Sequence, residues 1–557
     1  MRTLDWLVLG GSLVFIVIYG LYKGRGSGTV SSYLLANKTM PWWAMGLSIM
    51  ATQASAITFI GTTGQSYVDG MRFVQFYFGL PLAMVILSAT AVPLFHRAGV
   101  YTAYEYLEGR FDLKTRTLTS IVFLIQRGLG VGLALYAPAV VLSVIFGWGD
   151  RWTVLIMGAL VITYTVAGGI RAVTWTDVQQ MAIMFLGIAA ALAAAILLLP
   201  GDVSFLDALY LAGAAGKLNA VDLSFDWENR YNLWSGLIGG LFLQLSYFGC
   251  DQSQVQRYLT GKSIRHSRIG LLFNAVVKVP MQFVILLTGA LVYVFFLFEA
   301  PPMLFHRAEA ARVEREAPDQ YRETEARYRQ VVAERREAAT RLLASRGDDA
   351  RDQYRAAQER MAAARGEGIR LARQTAGGGE YNDTNYIFLT FVTRYLPAGV
   401  VGLIMAAIFA AAMSTISAEL NSLATATVID LYRRLWKPEA ADGHYVSVSR
   451  LATAFWGIYA MGFAFFGRRL GSLIEAVNMV GSLFYGSVLG VFVLAFGVKR
   501  ASGTGAFVGL LTGLAAVWWT SRNTGISFLW YNALGCLVVV AVGVAWGGGR
   551  RARIKKA

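Results

Sequence analysis

The chain has 557 residues, of which 56% are hydrophobic and only 15% charged, and it carries a net charge of +16. A soluble protein would carry about a quarter charged residues. Runs of the roughly 20 apolar residues that span a bilayer recur along almost the whole sequence, which excludes a soluble multidomain protein. The excess Lys and Arg sit mostly in short loops between these runs, the pattern of membrane orientation rather than of nucleic-acid binding.

Thirteen spans are predicted, at 4–22, 41–67, 72–96, 116–147, 151–169, 176–200, 232–250, 268–298, 390–428, 446–467, 470–498, 504–521 and 526–547. All must be helical, because lipid offers no partner to an unpaired backbone group. The first run has no small-residue cleavage site, so it is expected to remain as a span. Lys23, Arg25, His96, Arg97, Arg110, Lys114, Arg116, Arg171, Arg257, Lys262, Arg265, Arg268, Arg433, Arg434, Lys437, Lys499, Arg500 and the RRARIKK tail then all fall on one side. That side is expected to be cytoplasmic, giving an external N-terminus and an internal C-terminus. Cys250 and Cys536 lie in or beside apolar runs and form no metal or redox pattern.

Two polar segments interrupt the bundle. Residues 201–231 read as an external loop with Trp227 and Trp234 as interfacial anchors. Residues 303–380 are charged and rich in helix-forming Ala, Arg, Glu and Gln. A helix is expected near Arg312 to Leu343 and another from Asp348 to Ala372, in a hairpin closed at Gly377-Gly378-Gly379. The segment reads as a solvated extracytoplasmic insertion, with contact to another protein or a second copy as the other reading. The chain thus divides into a first helix and loop (1–40), a core (41–302), the insertion (303–380), the rest of the core (381–498) and two final helices with a basic tail (499–557).

Several spans carry polar groups that lipid would not tolerate. The second places Gln53, Ser55, Thr58, Thr62, Thr63 and Gln65 among apolar residues, weakened by Gly61 and Gly64. The ninth offers Ser414, Thr415 and Ser417 in a stretch of small residues that permits close helix packing. Hydroxyls beside the carbonyls of a broken helix make an oxygen site with little formal charge, suited to a monovalent cation such as sodium. Lys278 stands about ten residues inside the eighth span, a functional candidate by its cost in the membrane. Asp177 opens the sixth span, where it could guide a cation or pair with Arg171, and Asp430 is expected at the interface. The chain has no Walker loop and no HExxH motif, so ATP-driven pumping and metallo-hydrolysis are not expected.

The stretches SAITFIGTTG, GALVITYTVAGGIRAVTWTDVQQ, YFGCDQSQVQRYL and AAAMSTISAELNSLATATVIDLY resemble the sodium:solute symporter family, whose members include sodium-glucose, proline, sialic acid and monocarboxylate carriers. The resemblance implies an all-α membrane protein with the leucine-transporter inverted repeat of five plus five helices, spans 2–6 and 7–11. It implies a coupling sodium held by carbonyls of Ala51, Ala54 and Ala411 and by the Ser414 and Thr415 hydroxyls. A second sodium would use Asp177, Ser414 and Ser417, with Ala418 where a further serine often stands. Substrate contacts carry over onto Thr58, Tyr77, Gln244, Tyr247, Lys278 and Asn478. A glutamate of the sugar carriers is replaced at Tyr77, which leaves Lys278 uncompensated and favours an acidic solute. Sodium-driven symport of an organic anion or acidic sugar across a bacterial inner membrane is therefore expected. A neutral sugar, polyol or amino acid is the alternative solute, and a membrane sensor on the same scaffold is the alternative of another class.

Overall fold

A computed structural model describes residues 1–26, 28–146, 150–378, 381–465 and 473–547. Among them every regular element is helical, and an isolated bridge between Met40 and Gly261 is the sole extended pairing. The chain opens with α1 (Thr3–Lys23), α2 (Val30–Leu35), α3 (Trp42–Gln53) and α4 (Thr63–Asp69). It continues through α5 (Leu80–Ala89), α6 (Ala91–Ala98), α7 (Ala103–Arg110), α8 (Leu113–Phe146), α9 (Asp150–Leu197) and α10 (Phe205–Ala214). After the loop come α11 (Gly240–Gly249), α12 (Gln252–Leu259) and α13 (Ile264–Phe298), then the insertion helices α14 (Arg307–Glu316), α15 (Pro318–Ser345) and α16 (Asp348–Thr375). The chain closes with α17 (Thr384–Tyr395), α18 (Val400–Ala426), α19 (Asp442–Ala464), α20 (Leu473–Gly497), α21 (Gly503–Asn523) and α22 (Phe528–Gly547).

Nine helical stretches among the described residues are long and apolar enough to cross a membrane. The difference from the thirteen predicted runs has visible causes. The runs 151–169 and 176–200 join in α9, which bends at Gly169, where φ is +57°. A Cβ at that position would lie 2.5 Å from the Tyr33 carbonyl oxygen, so the bend requires glycine. The 41–67 run is broken into two short pieces, the 232–250 run is short, and α19 is not apolar enough to count. Residue 147, the 466–472 junction, Gly379 and the basic tail from 548 lie outside the described residues.

The helix α18 is the axis of the bundle. It is buried on almost every face and packs against α9, α8, α1, α3 and α19. Ala406, Ala407, Ala410, Ala411 and Ala412 keep its surface small enough for these neighbours to approach closely. Two residues counted from the sequence as loop cations are instead buried: Arg116 at the start of α8 and Arg257 in α12. Asp430, expected at the interface, is also fully buried. It accepts hydrogen bonds from Arg116 and from the Thr102 hydroxyl, both at 2.8 Å, and so locks the end of the ninth span to α7 and α8.

The insertion corrects its prediction in two respects. The helix expected from Arg312 breaks at Ala317, and Pro318 opens the next one, as its fixed φ and missing N–H allow at a first turn. Nor is the insertion merely solvated. Val313, Tyr328, Val332, Met361 and Leu371 bury a core of their own against Met303 and Leu304. Arg335, 1% exposed, donates to the Phe296 carbonyl at the C-terminal end of α13. Asp383 ties the two ends of the insertion together by accepting from the Phe305 N–H at 2.8 Å and from Arg365 at 2.6 Å.

Candidate ion and solute sites

The second predicted span breaks at its centre. At Ala54 the backbone leaves the helix (φ −85°, ψ +76°). In an unbroken helix the Ser55 and Thr58 N–H groups would bond the Ala51 and Ala54 carbonyls. Here Ser55 donates to the Gln53 carbonyl at 3.1 Å and Thr58 to the Ser55 carbonyl at 2.9 Å. Both carbonyls expected to face sodium have therefore lost their helical donors, and Ala51 and Ala54 are themselves fully buried.

The face of α18 turned to this break carries the expected hydroxyls. Thr415 donates to the Thr52 carbonyl at 3.1 Å, tying α18 to the last turn of α3. Ser414 donates to Asp177 Oδ1 at 2.7 Å, and Ser48 of α3 donates to Oδ2 at 2.5 Å. Asp177 thus joins α3, α9 and α18, while its other candidate partner, Arg171, is exposed. Ser417 turns away and donates to the Ser414 carbonyl at 3.0 Å, a bond within its own helix. Ala411 lies one turn before Ser414 and Thr415 on the same helix. Carbonyls, hydroxyls and one carboxylate make a donor set that fits a sodium ion, which such a protein would carry as cargo.

A cavity of about 90 Å³ adjoins the break. Thr52, Gln53, Ser55, Ile57 and Thr58 form one wall, with Phe76, Tyr77, Leu243, Gln244 and Tyr247 opposite. Arg127, Thr415, Glu419, Val477, Asn478 and Tyr485 complete it. Five expected substrate positions (Thr58, Tyr77, Gln244, Tyr247 and Asn478) line this one space. Lys278 does not; its Nζ sits over the face of Tyr77, 5.7 Å from the ring centroid.

The sequence reading missed the ionic cluster at the cavity wall. Arg127 of α8 donates to Glu419 at 2.7 Å, to the Tyr485 hydroxyl at 2.7 Å, and to Asp251. Asp251 caps α12, accepting from the Ser253 N–H at 2.9 Å. Four helices meet at this cluster, and Tyr247 covers it, with the Arg127 guanidinium 5.5 Å from its ring. A charged residue inside the 116–147 run was the available signal. Toward the α7 end, Glu108 receives Arg434 at 2.7 Å and Arg116 at 2.8 Å. Burial would raise the Glu108 carboxyl, but these two guanidiniums outweigh it and hold the group below its ordinary range.

The model of the sodium:solute symporter family matches residues 33–318 and 361–513, leaving out the middle of the insertion. The sodium-dependent multivitamin transporter of Oryctolagus cuniculus is 28% identical over 94% of this chain and 72% of its own length. The sodium/sialic acid symporter NanT of Aliivibrio fischeri is 26% identical over 97% of this chain and 92% of its own. A solved structure of a Na+-coupled sialic acid symporter in a substrate-bound outward-open state superposes with a TM-score of 0.77 at 24% identity, covering 98% of both chains, and shares the fold. With the family model matched over most of its length, this chain belongs to the sodium:solute symporter family.

Proposed function

We propose that the protein carries an organic anion or acidic sugar across the membrane together with sodium, by alternating access. The observation that supports this best is the overlap of the two sites. Thr52 and Thr415 both line the solute cavity, and the hydrogen bond between them ties α18 to α3 at the carbonyls open to an ion. An ion that holds α18 against the break therefore also shapes the wall the solute meets. Coupling of this kind is reciprocal: sodium raises solute affinity and solute raises sodium affinity. Ala51, Ala54, Ala411, Ser414 and Thr415 are assigned to the coupling ion. Asp177 with Ser414 and Ser417 is the candidate for a second, and the Ser48 hydroxyl stands beside them on Asp177.

In this reading the thirteen runs are thirteen spans, the N-terminus and the insertion are external, and the basic tail is cytoplasmic, in a bacterial inner membrane. Arg127, Glu419, Asp251 and Tyr247 then form the inner wall that must open to release the solute.

The test is thermal stability of the purified protein across a solute library, in sodium and in potassium, repeated in Ser414→Ala and Lys278→Ala. A carboxylate solute should stabilise only in sodium. Removing the Ser414 hydroxyl should weaken the apparent sodium affinity about tenfold or more, the cost of one charge-assisted contact. Stabilisation indifferent to sodium and unaffected by Ser414→Ala would overturn the assignment.

A further inference from the structure

The helix α13 carries three polar residues at a spacing of four: Asn274, Lys278 and Gln282. That spacing places them on one face, over about 12 Å of helix. All three are fully buried. Among the described residues, Asn274 Oδ1 and Nδ2, Lys278 Nζ, and Gln282 Oε1 and Nε2 have no hydrogen-bond partner. Pro280, between them, contributes no N–H, so the Val276 carbonyl also lacks its helical donor.

Their level in the bundle follows from the packing of α13 on the broken helix. Gly46 of α3 lies against Gly270 and Phe273, and Ser66 of α4 donates to the Leu286 carbonyl at 2.6 Å. Lys278 falls midway along this parallel contact, level with the break at Ala54 and Ser55. Tyr77, whose ring Lys278 overlies, is shared with the cavity wall. The stripe therefore stands beside the solute cavity, with Tyr77 as the partition. Gln244, which lines the cavity with Tyr77, likewise has neither its carbonyl nor its amide nitrogen bonded among the described residues.

Whole polar groups left unpaired in an apolar helix are costly, and an unpaired ammonium most of all. We propose that Asn274, Lys278 and Gln282 form an inner compartment of the solute site, which takes a carboxylate at Lys278 and a hydroxyl or amide group at each flanking carboxamide. The proposal rests on the symport reading above and narrows its solute class. A plain fatty acid would pair with Lys278 but leave four carboxamide atoms bare. A neutral sugar would pair with the carboxamides and accept from the ammonium but leave its charge uncompensated. A carboxylic acid that also bears hydroxyl or amide groups satisfies all three residues, because such groups both donate and accept, as a carboxamide does.

The experiment uses the full-length protein in detergent, with gluconate, hexanoate and sorbitol as probes in sodium and in potassium. Gluconate should stabilise the wild type more than hexanoate or sorbitol. Asn274→Leu and Gln282→Met should each weaken gluconate about tenfold or more, matching the loss of one hydrogen-bonding group near a charge. Both should leave the response to hexanoate unchanged. Without solute, each variant should melt about 2 °C higher than the wild type, since an unpaired buried amide has been replaced by an apolar group. Absence of gluconate stabilisation in the wild type, wild-type gluconate affinity in both variants, or a solute-free melting temperature several degrees lower would overturn the compartment. Failure of the symport reading looks different: gluconate would stabilise equally in potassium and sodium while the pattern across the variants persisted.

Discussion

The insertion and the broken-helix core solve the same problem in opposite ways. Each buries cations, but the insertion leaves single atoms over while the core leaves whole groups over. Arg335 keeps only its Nε unpaired, because its other nitrogens reach the Phe296 carbonyl and Met361 Sδ. Arg365 likewise keeps only Nε, its terminal nitrogen being held by Asp383. In the core, Gln244, Asn274, Lys278 and Gln282 have no side-chain partner at all among the described residues. A segment that only has to fold closes its bonds, here onto the ends of the core that flank it. A segment that must receive and release a cargo keeps groups open, at the expense of stability.

Arg127, like Arg116, has its charge partners inside the core, and it gives the largest expected effect. It is held by Glu419, Asp251 and Tyr485 at once. Arg127→Met should leave both carboxylates buried without a counter-charge and cost about 3–5 kcal/mol, the usual result of removing one partner of a buried ion pair. Thermal unfolding of the purified variant checks this. A loss under 1 kcal/mol would mean the cluster is not closed as described, and the contrast with the open groups around Lys278 would lose its internal control.

Arg335→Met probes the insertion by the same logic. Its guanidinium caps the C-terminal carbonyls of α13, where a cation in a partly buried site is worth up to about 2 kcal/mol. The variant should lose about that much stability while sodium-dependent transport persists, because the residue lies at the seam between the insertion and α13 and not at the break. Transport lost without loss of stability would show that the insertion takes part in the cycle, and the division between the two regions would fail.

How far these regions could be read from the sequence follows the same division. Helix-forming composition and charge spacing marked α16 and the end of α15 to within a few residues, and small hydroxylated residues marked α18 and its partner break. Five of the six positions expected to meet the solute line one cavity, because the resemblance carries relative placement as well as identity. Interactions between distant segments were not legible. Ser48 carries no signal of its own in the sequence, and only the packing of α9 brings Asp177 to within 2.5 Å of it. Arg116 and Arg257 looked like loop cations because a boundary error of a few residues decides whether an arginine faces water or the bundle. The Pro318 break was readable from a residue that cannot continue a helix, and the alternating charges around it hid it.

A smaller effect comes from Lys217, at the seam where α10 reaches the broken helix. Its carbonyl accepts from the Met71 N–H at 2.9 Å, and its ammonium lies over the Tyr293 ring, 4.9 Å from the centroid. Desolvation at this seam lowers its pKa to about 8, against roughly 10.4 for a free lysine. Between those values the unfolded chain holds a proton that the folded chain has released, so stability rises with pH across that window. Wild-type melting temperature should therefore climb relative to Lys217→Met as pH goes from 8 to 10. Parallel curves would place the ammonium in water and detach the seam from the core.

The weakest expected effects belong to the exposed ion pairs of the hairpin, and they set the lower end of the scale. Arg329 reaches Glu325 at 3.0 Å within α15, and its side chain is 72% exposed. Arg327 reaches Glu323 at 3.0 Å and also crosses to Glu367 of α16 at 2.9 Å. Water screens the first pair, and alanine is the better helix former, so Arg329→Ala should change stability by less than about 0.5 kcal/mol. Arg327→Ala should cost somewhat more, still under about 1 kcal/mol, because it releases a contact between two helices rather than one within a helix. Both losses should shrink in high salt, which shortens the reach of exposed charges. If Arg329→Ala instead lost more than 1 kcal/mol in melts at low and high salt alike, its guanidinium would not be facing water in solution. The exposed face of the hairpin would then be covered, and the insertion would have to be redrawn as one half of an interface.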